Sequence, residues 1–122
     1  MSAKWIMVAG PYRSGTKTEQ ERAANLRGMN AAALEIFRKG HVPVIGVNLA
    51  LPIIDVAGEE AYDEIMMPLS LAAAARCDAI VRVGGPSEGA DREVEVVRAK
   101  GGEVYTDVAD VPCASTSIGP AR

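Results

Sequence analysis

A chain of 122 residues has room for one domain with one modest core. Hydrophobic residues make up 48% of it and aromatic ones only 4%, so small side chains such as Ala and Val must supply much of that core. A net charge of −3 excludes the broad basic surface that a nucleic-acid polymer needs, but not a small phosphorylated ligand, which needs only a local cluster of donors.

The stretch Trp5 to Ala9 is short, continuously apolar and closed by Gly10-Pro11. It predicts a strand buried on both faces, the pattern of a parallel sheet. It is too short for a signal peptide's apolar region or a membrane span, so a cytoplasmic protein without a membrane partner is expected. Thr18-Glu19-Gln20-Glu21 fits a capping box, which opens a helix. Ala23, Leu26, Asn30, Ala33 and Phe37 then mark one helical face, with Leu34 beside it. Lys39-Gly40 stops the helix.

Val42-Pro43-Val44-Ile45 predicts a second strand, and its proline an edge or strand-start position. Val47 to Gly58 is apolar but interrupted by Pro52 and reads as a packed loop. Glu59 to Arg76 predicts a helix bent or restarted at Pro68, with a flat Ala72 to Ala75 face that another helix can approach. Ala79 to Val83 is a third strand. The turn Gly84 to Gly89 leads into a helix from about Ala90 to Lys100, and Glu103 to Thr106 is a fourth strand. Residues 1–112 form the domain, and 113–122 read as a loose tail.

Alternating strands and helices predict an α/β fold, a three-layer sandwich of Rossmann-like or flavodoxin-like type with a four- to five-stranded parallel sheet. Ligands of such sheets bind beyond the carboxyl ends of the strands, where both glycine-bearing turns fall. Small core residues bury little area each, so a homodimer interface is expected to add stability.

The first turn, Gly10 to Thr18, offers backbone N–H groups, a helix N-terminus and the planar fork of Arg13, all suited to phosphate. Its Gly10-x-x-x-x-Gly15 spacing matches a P-loop, but Thr16-Lys17-Thr18 puts the lysine out of register. An ordinary turn with a solvated Arg fits the same residues. In the second turn, the Ser87 hydroxyl can donate to a phosphate or sugar oxygen. Glu93 then falls in the first turn of the helix, where the dipole is expected to keep it ionised. Two readings of Glu93 fit: one of several helix-stabilising acids beside Asp91 and Glu95, or a carboxylate able to attack an anomeric carbon.

These two turns resemble those of the nucleoside 2-deoxyribosyltransferase-like superfamily, over roughly Trp5 to Tyr105. That group includes the 2′-deoxynucleoside 5′-phosphate N-hydrolases and a branch of small domains. Ala9-Gly10-Pro11-Tyr12-Arg13-Ser14-Gly15 is similar to the hydrolases' Gly-Ser-Ile-Arg-Gly-Gly turn. Met29 to Ala33 and Lys39-Gly40-His41 resemble the small-domain branch, and Arg76 to Val81 the family's helix end and following strand. Ser87-Glu88-Gly89-Ala90-Asp91-Arg92-Glu93 is similar to a Ser-x-Gly-x-x-x-Glu element whose Glu is the family nucleophile.

The resemblance implies that Glu93 is the nucleophile, and that Arg13, Ser87 and the Gly10 and Gly89 backbones hold a 5′-phosphate. Relatives acting on unphosphorylated nucleosides carry Asp where this chain has Ser87, so a nucleotide is implied. This chain departs from the family twice. Met7 stands where many relatives have Tyr, and Pro68 where the hydrolases have an Asp serving sugar and base; Asp63 or Glu64 could substitute.

The expected function is therefore an N-glycosidase acting on a nucleoside or deoxynucleoside 5′-monophosphate. The alternatives are transfer of the deoxyribosyl group, a nucleotide-binding module without turnover, and a structural or interaction domain. Tyr12 could stack on the ligand or simply pack the loop, and Asn48 could reach the ligand from the second strand's end. Neither metal nor cofactor is expected: the chain has one histidine, His41, and its cysteines, Cys77 and Cys113, read as a buried thiol and a tail residue.

Overall fold

The computed structural model describes residues 2–115. Four strands run parallel in the order β2-β1-β3-β4: β1 is Trp5–Ala9, β2 Val42–Val44, β3 Ala79–Arg82 and β4 Glu103–Tyr105. The connections carry α1 (Glu19–Arg38), α2 (Gly46–Ala57), α3 (Tyr62–Arg76) and α4 (Glu88–Ala99). This is the expected three-layer α/β sandwich.

Successive β1 residues face opposite layers, as the two-residue period of a strand requires. Ile6 and Val8 join Met29, Ile36, Ala50 and Ile54 of α1 and α2. Met7 and Ala9 join Ala74 of α3 and Ala90, Val94 and Val97 of α4. Pro43 stands on the edge strand β2, where its missing N–H breaks no ladder bond toward a further strand.

The capping box forms as expected. Glu21 N–H donates to Thr18 Oγ1 at 3.1 Å, and Thr18 N–H donates back to Glu21 Oε1 at 3.1 Å. The buried face of α1 differs from the expected one: Met29, Ala32 and Ile36 are buried, whereas Ala23, Asn30 and Phe37 are exposed. Apolar residues surround this helix, so periodicity alone does not select a face. Residues 47–58 are the larger correction, because they form α2 rather than a loop. Val47, Ala50 and Ile54 are buried at helical spacing, and Pro52 lies on the exposed side, where its lost hydrogen bond falls on exposed Asn48. Likewise α3 is not restarted at Pro68, which is exposed within one continuous helix after a 3-10 turn at Glu59–Ala61.

Helix α2 meets α3 where Gly46 faces Ser70. A Cβ on Gly46 would lie 2.7 Å from Ser70 Cβ and 3.1 Å from Ser70 Cα. Rotating the Ser70 side chain cannot relieve that overlap. Gly46→Ala is expected to cost about 2 kcal/mol, read as a lower urea midpoint with an unchanged slope.

His41 is fully buried and structural. Its Nδ1 accepts from Lys4 N–H at 3.0 Å, and Nε2 lies 2.7 Å from the Pro112 carbonyl. Lys39 Nζ donates to the Val108 and Val111 carbonyls at 2.6 and 2.7 Å, fastening the segment after β4 against the end of α1. Within the expected tail, Cys113 is exposed and Ala114 N–H donates to Lys39 O at 2.7 Å. Residues 116–122 lie outside the described ones. Cys77 is a buried free thiol, and burial pushes it up to about 11. No helix among the described residues is long and apolar enough to cross a membrane.

Candidate active site

In this strand order β1 pairs with β2 on one side and β3 on the other, so the chain crosses from β1 to β2 in one direction and returns past β1 to β3 in the other. Such a switch point opens a crevice beyond the carboxyl ends of the strands. A cavity of about 290 Å³ lies there, walled by residues of both glycine-bearing turns, α3 and α4. Gly10, Tyr12, Arg13, Ser87, Gly89 and Glu93 all line it.

The turns are joined by a hydrogen bond from Ser14 Oγ to Ser87 Oγ at 3.3 Å. Ser87 is the N-cap of α4, and its Oγ accepts from Ala90 N–H at 3.2 Å. The helix therefore starts two residues before the expected Ala90, with its first turn against the cavity. Gly10 permits close packing: a Cβ there would lie 3.0 Å from the Val83 carbonyl. This close contact joins the end of β1 to the end of β3.

Glu93 occupies the second turn of α4, not the first, and is only 7% exposed. Among the described residues its carboxyl has no hydrogen-bond or ion-pair partner. Burial pushes its pKa up to about 7, against the opposing pull of the Arg82 guanidinium. The expectation of a carboxylate held ionised by the helix dipole is thus corrected. The dipole acts mainly within the first turn, and desolvation outweighs it further in. Arg82 is itself fixed by bonds to Asp91 Oδ1 at 3.0 Å and the Gly85 carbonyl at 2.8 Å.

Arg13 lines the cavity, but its guanidinium pairs with Glu59 at 2.7 Å and stacks on the Tyr62 ring, 3.4 Å from the centroid. Asp63 also lines the cavity, whereas Pro68 and Glu64 do not. Asn48 is not brought to this site. It lies in a separate apolar cavity of about 500 Å³ along the edge strand β2, and its Nδ2 donates to Asn30 Oδ1 at 2.7 Å. That cavity has no carboxyl group in its lining.

Ser14, Tyr62 and the Met66-Met67 pair are site residues that sequence reasoning did not assign. Tyr62, Asp63, Met66, Met67 and Ser70 line the cavity from one face of α3, a spacing legible in the sequence once the helix is known. Among the described residues no cluster of His, Cys, Asp and Glu could hold a metal ion. No protein-family model matches the chain, and no curated protein matches it.

Proposed function

We propose that this protein is an N-glycosidase acting on nucleoside 5′-monophosphates, in keeping with the likeness of its two turns to the deoxyribosyltransferase-like group. One observation carries the reading: a buried carboxyl without a protein partner, Glu93, lines a cleft that also holds Arg13, Ser87 and the first turn of α4. A buried carboxyl is unfavourable for folding unless a ligand or a developing positive charge makes use of it.

The phosphate would sit against the α4 N-terminus, taking hydrogen bonds from the Ser14 and Ser87 hydroxyls and charge from Arg13. Glu93 then attacks C1′ as the bond from C1′ to the base breaks. The electron pair of that bond leaves with the base, which takes a proton from water. Water next attacks C1′ of the glycosyl ester, releasing the sugar 5-phosphate, a proton and the Glu93 carboxylate. Asp63, the other carboxyl on the cleft, takes the role of hydrogen bonding to the sugar.

The test is incubation with a panel of nucleoside and deoxynucleoside 5′-monophosphates, with free base measured by chromatography. Release of base from at least one is expected. Binding without release supports a module that senses nucleotides without turnover. That second reading is favoured by Met7, which stands fully buried on β1 and offers Glu93 no hydroxyl. Neither binding nor release overturns both readings.

A further inference from the structure

A third cavity, of about 460 Å³, adjoins the Glu93 cleft. Tyr12, Arg13 and Tyr62 line both chambers, whereas Glu59 lines only the outer one. Arg13 therefore lies in the partition, drawn to the outer side by Glu59 and covering one face of the Tyr62 ring. The ion pair that holds it is open to water: the Arg13 side chain is 44% exposed and that of Glu59 80%. An exposed ion pair is weak. A phosphate offers Arg13 a bidentate, more highly charged acceptor, with the two serine hydroxyls and the α4 N-terminus converging on the same cleft. The face that Arg13 covers suits stacking by any flat π-system, since a guanidinium and a nucleobase use the same ring surface. Leu26 and Leu51 give the outer chamber an apolar wall against which a base can pack.

We propose that Arg13 is a latch between two chambers: Glu59 holds it over Tyr62, and the ligand's phosphate draws it off, uncovering the Tyr62 face as the stacking platform for the base. This deepens the nucleotide reading and rests on it. Phosphate recognition and base recognition are then coupled, because one side chain must leave the ring before the base can reach it.

Calorimetric titration in the Glu93→Gln background, where turnover is blocked, tests this with ribose 5-phosphate and the tightest-binding nucleoside 5′-monophosphate. Glu59→Gln is expected to tighten both ligands about threefold, the loss of one weak competing pair. Tyr62→Leu is expected to weaken the nucleotide about tenfold or more while ribose 5-phosphate binds no more weakly than before, and Tyr62→Phe to keep both. A Tyr62→Leu protein that binds the nucleotide as tightly as its parent overturns the latch and leaves the nucleotide reading standing. If Tyr62→Leu loses both ligands, Glu59→Gln decides, and unchanged affinities there overturn the latch. No binding of either ligand to any of the proteins overturns both the latch and the nucleotide reading.

Discussion

Glu93→Gln is expected to lower kcat/KM for base release at least about 10³-fold, because an amide cannot act as the nucleophile. The substitution keeps the size of the side chain and its place on α4, so nucleotide affinity should change far less than turnover. The wild-type pH profile gives an independent check. Attack on C1′ needs the carboxylate, and burial raises Glu93 to about 7. kcat/KM is therefore expected to rise with pH through about 7 and level off above it. The charged groups around this carboxyl are Arg82, which pulls against its rise, and Arg13 and Asp63 on the cleft wall. A profile flat through neutrality, or base release that survives Glu93→Gln, would remove Glu93 from the chemistry.

The same substitution is expected to stabilise the fold above neutral pH, whatever the reaction. Folded Glu93 keeps its proton up to about 7, whereas in the unfolded chain a glutamate loses it near its ordinary value of 4.5. Between those values the folded state binds more protons, so raising the pH favours unfolding. The contribution is fully present below 4.5 and lost as pH rises through about 7. Such a displacement corresponds to about 3 kcal/mol. Gln carries no ionisable proton and escapes this loss. Glu93→Gln should therefore melt roughly 10 °C above wild type at pH 8 and close to it at pH 4. Equal melting curves at pH 8 would show that the carboxyl is well solvated.

Together these results would identify a site maintained at the expense of stability, the usual signature of a functional carboxyl. They would also separate the role of Glu93 from that of its neighbours. Asp91, exposed and paired with Arg82, and Glu95, exposed and paired with Arg98, stand on the same helix without burial. Those two acids match the helix-surface role that the sequence left open for all three.

The order of the strands and of α1, α3 and α4 was legible in the sequence, because β1 and β3 are short apolar runs closed by glycine turns and the α1 capping box is a local motif. The residues gathered at the cleft were largely legible too, since Gly10 to Arg13 and Ser87 to Glu93 each follow a strand that ends at the same sheet edge. Other features depend on contacts between distant residues. Helix α2 forms in spite of Pro52 because Val47, Ala50 and Ile54 find a core to fill, a tertiary gain larger than one lost hydrogen bond. Asn48 is turned to a different cavity by that same helix. The sequence by itself determined a parallel α/β sheet with two glycine-bearing turns beyond the carboxyl ends of β1 and β3. Tertiary structure alone decided that Glu93 is buried enough to hold its proton near neutrality, and that Glu59 and Tyr62, 46 and 49 positions along the chain from Arg13, hold its guanidinium. Desolvation and long-range pairing depend on what the folded chain brings alongside a residue, which local sequence does not encode.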